Sequence, residues 1–196
     1  MRIFYDCEFV ERGRDLPIQL VSIGMVRDDG AELYRINPEC LSNVAKHPWL
    51  SSNVGPYLPI KVTPGVLDWD KDHPEYEYVS TSLDNLISDV LAFIQGTPNA
   101  ELWAYYGAYD HVVLCQLFGS MSELPAGVPM LTEDVQQHWK WFGSGKPLPD
   151  EPWKLHHAMD DARWTRDAFY AIGAEEPTNA ISATIEEAEI IDAEIE

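Results

Sequence analysis

Three strand-like segments follow one another within the first 36 residues, and they limit the possible folds more than any other feature of the sequence. Apolar and alternating residues predict strands over Arg2–Phe9, Pro17–Val26 and Ala31–Ile36. Asp29 and Gly30 form a hairpin-type turn between the last two. Connections this short join antiparallel neighbours, whereas parallel strands need a longer crossover. We therefore expect the chain to begin with an antiparallel meander.

Helical patterns dominate the rest of the chain. The clearest lies over Ser80–Gln95, where apolar residues recur at the spacing of one helix face and Gly96 can end the helix. One more strand and three more helices are predicted, over Glu101–Tyr106, Ala108–Phe118, Thr132–Trp141 and Ala158–Ile172. This order predicts an α/β fold with a mixed sheet and helices packed on its faces.

Two regions fit neither pattern. Residues 37–79 contain six prolines, so we expect an irregular connection with one or two short helices. Residues 175–196 hold eight acids and no lysine or arginine, and we predict a flexible acidic tail. Since domains average about 150 residues, a chain of 196 residues should form one domain. We assign this domain to residues 1–174.

The charge balance argues against a protein surface that binds polyanions through its own basic side chains. The chain carries 13 lysines and arginines against 33 aspartates and glutamates, a formal net charge of −20. Without the tail, 13 cations still face 25 acids. Proteins that grip phosphate groups usually carry a basic surface. Either the partner is not a polyanion, or divalent cations at a carboxylate-lined site supply the positive charge.

Targeting and redox features indicate the cytoplasm. The N-terminal residues lack the apolar run of a signal peptide, and no apolar run approaches the ~18 residues that cross a membrane. The cysteines, Cys7, Cys40 and Cys115, are odd in number and far apart, which argues against a disulfide framework and a Cys-rich zinc site. We expect a cytoplasmic protein that does not associate with membranes.

Asp6 and Glu8 are the strongest candidates for chemistry. Side chains alternate along a strand, so these two carboxylates project from one face of the first strand, roughly 7 Å apart. A bound cation would relieve their repulsion, and oxygen-rich sites suit Mg²⁺ or Mn²⁺. The alternative is an edge strand that carries two exposed acids.

Two further acids and a histidine lie at the starts of predicted helices. Asp110 shares a helix face with apolar residues and should point towards the sheet, although an acid in a first helical turn also favours the helix by itself. Asp161 lies on a small and apolar helix face, whereas Asp160 lies on a more polar one. His156 can approach Asp161 only if it precedes the helix or lies in its first turn. The alternative is that His156 and His157 are surface histidines in a loop.

These residues occur in the order Asp-x-Glu, Asp, His-x4-Asp, which resembles the DEDDh 3′→5′ exonucleases of the ribonuclease H-like fold. The segments around them are similar to the ribonuclease AS family, which comprises adenylate-preferring exoribonucleases. They read FYDCEF (4–9), ELWA (101–104), GAYDHVVLCQLFG (107–119) and HHAMDDA (156–162). The resemblance covers about residues 1–172, is weakest over 38–80 and does not include the acidic tail.

The resemblance implies a ribonuclease H-like α/β fold, in which parallel strands follow the antiparallel meander. It implies a metal-dependent exoribonuclease that hydrolyses single-stranded RNA from 3′ ends to nucleoside 5′-monophosphates. Two Mg²⁺ or Mn²⁺ ions would be held by Asp6, Glu8, Asp110 and Asp161, with His156 as the general base. His157 would then have little effect on activity.

The same resemblance implies the partners, and the sequence adds aromatic residues near the expected site. Phe9 and Tyr109 flank the expected site and are candidates to contact the substrate. The expected partners are single-stranded RNA 3′ ends and a second copy of the chain in a homodimer. Two alternatives remain: an exonuclease on DNA ends, since the acids cannot separate RNA from DNA, and a non-catalytic RNA-binding module of the same fold. The presence of all five active-site residues argues against the second.

Overall fold

The computed structural model describes residues 1–64, 66–143, 145–152 and 155–173, so the predicted acidic tail lies outside the described residues. Strands and helices occur in the order β1 (Arg2–Val10), β2 (Gln19–Arg27), β3 (Glu32–Ile36), α1 (Leu41–Lys46), α2 (Pro48–Asn53), β4 (Ile60–Thr63), β5 (Val66–Trp69), α3 (Leu83–Gln95), β6 (Glu101–Ala104), α4 (Ala108–Leu117), β7 (Thr132–Asp134), α5 (Val135–Phe142) and α6 (Ala158–Ile172). Short 3-10 helices lie at Gly55–Tyr57, Pro74–Tyr78 and Met121–Glu123.

The main sheet has the strand order β3-β2-β1-β6-β7. Strands β1, β2 and β3 pair antiparallel, as the meander predicts. Strands β6 and β7 extend the sheet in parallel on the other side of β1. The α/β prediction of a mixed sheet flanked by helices is therefore confirmed, and the arrangement is consistent with a ribonuclease H-like fold.

The two faces of β1 meet different helices because neighbouring side chains alternate. Ile3 and Tyr5 face α3 and α4 in one apolar cluster. Phe4 faces the other way and packs on Phe169 of α6, with ring centroids 5.3 Å apart. Strand β1 is thus covered on both sides, and the face that carries Asp6 and Glu8 is the one on which α6 packs.

Gly24 lets α6 begin directly against the sheet. It pairs with Asp6 across the β1–β2 ladder. A Cβ atom at this position would lie 2.4 Å from the carbonyl oxygen of Ala158 and 2.5 Å from Cα of Met159. Only glycine therefore allows the first turn of α6 to lie this close to the strand beside Asp6.

The helix predicted over Thr132–Trp141 is wrong for its first three residues. Thr132–Asp134 forms β7, in parallel register with Leu102–Ala104, and α5 begins at Val135. Asp134 ends the strand and its side chain accepts a hydrogen bond from the amide of Gln137, which caps the helix.

The irregular stretch over 37–79 contains more regular structure than its sequence indicates. Its two short helices, α1 and α2, agree with the prediction, but the β4–β5 hairpin was not predicted. Of the described helices, none combines the length and the apolar character needed to span a bilayer.

Candidate functional site

Strand β1 places Asp6 and Glu8 on one face, as its alternation predicts. Glu8 is 7% exposed, and Cys7 between them points into the apolar cluster on the opposite face. Ser22 pairs with Glu8 on β2, and the β1–β2 register shifts immediately after it. The two carboxylates therefore lie on the covered face of a central strand and not on an exposed edge.

Asp110 reaches the same strand from α4. Strand β1 pairs with β6 only over Arg2–Phe4. Further along β1, the Cys7 amide donates a hydrogen bond of 2.8 Å to Oδ1 of Asp110. Asp110 is 7% exposed, so it points towards the sheet as predicted. Its place in the first turn of α4 also favours a negative charge there.

The turn that leads into α4 is tightly constrained. A Cβ atom on Gly107 would lie 2.5 Å from Cβ of Ala104, and its amide donates a 3.0 Å hydrogen bond to Asp134. Tyr106 before it has φ of +56°, an uncommon conformation for a residue with a side chain. Asp134 thus holds the N-terminus of the helix that carries Asp110.

The start of α6 brings His156 and Asp161 together. His156 lies two residues before the helix, with φ of +70°, and its amide donates a 2.8 Å hydrogen bond to Oδ2 of Asp161. Asp160 instead bonds to Arg163. The structure therefore places Asp161, not its neighbour, beside His156, as the two helix faces predict.

His157 has a structural role that the sequence interpretation missed. It is 5% exposed, and its Nδ1 accepts a hydrogen bond from the Asp160 amide as the N-cap of α6. Its ring lies 4.9 Å from that of Tyr34. The expectation that His157 has little effect on activity stays a prediction, but its removal would uncap a buried helix end and so lower the stability of the fold.

All five predicted active-site residues line one cleft of about 380 Å³. They come from three separate segments of the chain, Asp6 and Glu8 from β1, Asp110 from α4, and His156 and Asp161 from the start of α6. Among the described residues, Glu8, His156 and Asp161 each place one possible ligand atom within 4.8 Å of the other two. This arrangement can hold a cation.

Burial strongly disfavours the charged forms of these carboxyl groups. It raises the pKa of Glu8 to about 8, with the neighbouring Asp161 and Asp110 adding to the shift. It raises the pKa of Asp161 to about 7 and of Asp110 to about 6, although backbone amides bonded to each act in the opposite direction. The pKa of Asp6 is raised well above its usual range by burial and by the negative charges of Asp110, Glu8 and Asp161.

The donor set fits a hard divalent cation. Burial and mutual repulsion disfavour the charged forms of these four carboxyl groups, and a divalent cation bound among them would neutralise that repulsion. Carboxylate oxygens are the ligands that Mg²⁺ and Mn²⁺ prefer. Burial lowers the pKa of His156, while Glu151 opposes the shift, and the lowered pKa favours the neutral imidazole, which can accept a proton.

These pKa shifts predict how pH acts on the metal-free protein. Unfolding returns Asp161 to its ordinary pKa, so the folded state binds more protons between about pH 4 and 7. The Asp161 contribution to the free energy of unfolding is therefore full below pH 4 and is lost as pH rises, by on the order of a few kcal/mol. Urea unfolding at pH 5, 6, 7 and 8 in chelator measures it.

The matched control for this measurement is Asp161→Asn, which keeps an oxygen for the His156 amide but cannot ionise. We expect the stability of the wild type relative to this variant to fall between pH 5 and 8. Saturating Mn²⁺ should reverse the trend, because cations compete with protons for the carboxylates. A difference that is independent of pH would contradict the raised pKa of Asp161.

Aromatic side chains surround the carboxylates. The predicted substrate contacts, Phe9 and Tyr109, both line the cleft and stack on each other with nearly parallel rings at 5.8 Å. Trp49 and Tyr106 also line it, and the sequence interpretation missed both. Trp49 lies in the proline-rich stretch, where no local pattern signals which residues approach β1.

Comparisons with known proteins identify two relatives of this chain. No protein-family model matches the chain. It is 39% identical over 165 residues to the 3′-5′ exoribonucleases of Mycobacterium tuberculosis strains CDC 1551 and H37Rv, and the match covers 83% of this chain and 88% of each relative. At this identity over most of both chains, the protein belongs to the family of these mycobacterial 3′-5′ exoribonucleases.

Proposed function

We propose that this protein is a metal-dependent 3′→5′ exoribonuclease of the DEDDh type, similar to the ribonuclease AS family. One observation carries the proposal: four carboxyl groups and a histidine from three segments of the chain line a single cleft. The relatives named as 3′-5′ exoribonucleases support the same activity.

Asp6, Glu8, Asp110 and Asp161 are the residues that would hold two Mg²⁺ or Mn²⁺ ions. When bound, such ions supply a water of lowered pKa and stabilise the leaving 3′ oxygen of the scissile phosphodiester. They would also add positive charge where the RNA phosphate binds, which would reconcile an RNA partner with the net charge of −20.

His156 acts as the general base in this proposal. Its neutral imidazole takes one proton from the attacking water, whose oxygen forms the new bond to phosphorus. The bond between phosphorus and the 3′ oxygen of the preceding nucleotide breaks, that oxygen takes up a proton from solvent, and the His156 imidazolium then returns its proton to solvent. The products are a nucleoside 5′-monophosphate and an RNA shortened by one residue with a free 3′ hydroxyl.

The cleft favours an unpaired 3′ end. Tyr109 is 50% exposed and stacks on Phe9 beside the carboxylates, and exposed aromatic rings bind unstacked bases by stacking. By resemblance to the ribonuclease AS family, the preferred base is adenine. We also propose by that resemblance that the protein forms a homodimer.

Degradation assays with single-stranded homopolymers test the proposal. With Mn²⁺, we expect poly(A) to be degraded faster than poly(U) or poly(C), and a 3′-terminal label to be released before an internal one. The released product should be a nucleoside 5′-monophosphate. The matched controls are a reaction in chelator and the variant Asp6→Asn, which keeps the side-chain volume but weakens metal binding.

Each outcome has a distinct consequence. Equal rates on the three homopolymers would remove the adenylate preference and leave the exonuclease intact. Faster hydrolysis of a DNA strand of the same sequence would make DNA ends the substrate. RNA binding with no metal-dependent hydrolysis would indicate a non-catalytic module.

A further inference from the structure

The indole of Trp49 lies against the imidazole of His156. Their ring centroids are 4.8 Å apart and their planes are inclined by 72°, an edge-to-face arrangement that aromatic pairs favour. We propose that Trp49 is a positioning residue, which holds the His156 imidazole in its productive orientation at the carboxylate cluster. The proposal rests on the exoribonuclease function described above.

The backbone of His156 is held, but its ring needs a separate restraint. The left-handed conformation and the hydrogen bond from its amide to Asp161 fix the main chain beside the cluster. Neither restrains the terminal torsion of the side chain, which is broad in histidine. A proton acceptor must point at the water throughout turnover, because small misplacements of a catalytic group are costly. The contact with Trp49 supplies this restraint.

Trp49 is itself fixed relative to α6. Helix α2 begins at Pro48, and Nδ1 of His47 caps it by accepting a hydrogen bond from the Leu50 amide. Leu50 is 4% exposed and belongs to the apolar cluster that contains Met159 of α6. The same apolar cluster therefore holds the two short segments that carry Trp49 and His156.

The exposure of Trp49 makes a mainly structural role a poor explanation. Its side chain is 48% exposed, and it lines the cleft rather than belonging to a buried cluster. Replacing it should therefore cost little stability. Trp49 is exposed and yet contacts the imidazole of the proposed general base. A role in the reaction therefore explains its position better than a role in stability.

Steady-state kinetics on poly(A) with Mn²⁺ test the proposal. We expect Trp49→Ala to lower kcat roughly 2- to 10-fold, the range that one aromatic pair is worth, with KM unchanged. Trp49→Phe keeps an aromatic ring and should restore part of kcat. Trp141→Ala is the matched control, since Trp141 is 67% exposed and lies on α5 outside the cleft. Urea unfolding checks that each variant is folded.

Two further measurements separate positioning from other roles. In a His156→Ala background, Trp49→Ala should cause no further loss of kcat, because its effect passes through the imidazole. NMR spectra of the metal-free protein should show the His156 ring protons shifted in Trp49→Ala and unchanged in Trp141→Ala. Because this second readout needs no activity, it tests the ring contact even if the wild type is not an exoribonuclease.

A raised KM with unchanged kcat would overturn the proposal, since Trp49 would then contact the substrate base. A loss of kcat that persists in the His156→Ala background would overturn it as well. Unshifted His156 ring protons in Trp49→Ala would show that the contact does not hold the ring in solution. An inactive wild type, by contrast, would refute the proposed function itself.

Discussion

His156→Ala is expected to bind Mn²⁺ with nearly wild-type affinity and yet to degrade RNA about 10²- to 10⁴-fold more slowly, the usual contribution of a general base. Asp6→Ala should instead lose both metal affinity and turnover, because it removes a proposed ligand. Isothermal titration calorimetry with Mn²⁺, combined with turnover on poly(A), measures both quantities for each variant.

A control variant for the comparison of His156→Ala with Asp6→Ala must leave α6 intact. His157→Ala does not qualify, because His157 is the buried N-cap of that helix. Asp160→Asn is preferable: Asp160 neighbours Asp161 but bonds to Arg163, and asparagine keeps an acceptor, so nearly wild-type turnover is expected. If His156→Ala loses Mn²⁺ as completely as Asp6→Ala, His156 is a ligand, which its proximity to Glu8 and Asp161 allows.

Gly24→Ala should destabilise the protein and abolish turnover, although Gly24 lies outside the cleft lining. The new Cβ would overlap backbone atoms of Ala158 and Met159 at 2.4–2.5 Å, and backbone atoms cannot rotate away as a side chain can. The first turn of α6 must move, and His156 and Asp161 move with it. We expect a loss of about 1–3 kcal/mol in the free energy of unfolding, measured by urea titration.

Gly55→Ala provides the comparison for Gly24→Ala. A Cβ at Gly55 would lie 3.5 Å from the Leu50 carbonyl oxygen, an ordinary contact distance, so stability and turnover should change little. A Gly24→Ala protein as stable and as active as the wild type would show that α6 is not seated against β2 in solution.

Local periodicity in the sequence was enough to predict how the main elements present their side chains. The period of two in β1 placed Asp6 and Glu8 on one face and Cys7 on the other. The period of 3.6 in α6 separated Asp161 from Asp160. The predicted bounds Ala158–Ile172 agree with α6. Each of these features depends on residues within a turn or a few positions along the chain, which the sequence displays directly.

The tertiary structure alone decided which distant segments meet. Thr132–Asp134 forms a strand because β6 offers it an edge to pair with, although its local sequence suits a helix. Trp49 reaches His156 because the neighbouring Leu50 belongs to the same apolar cluster as the first turn of α6, and Gly24 allows that helix to lie against the sheet. The sequence by itself determined the chemical groups and the face of each element that carries them. Their convergence on one cleft depends on packing between segments that are far apart in the sequence, which no local pattern records.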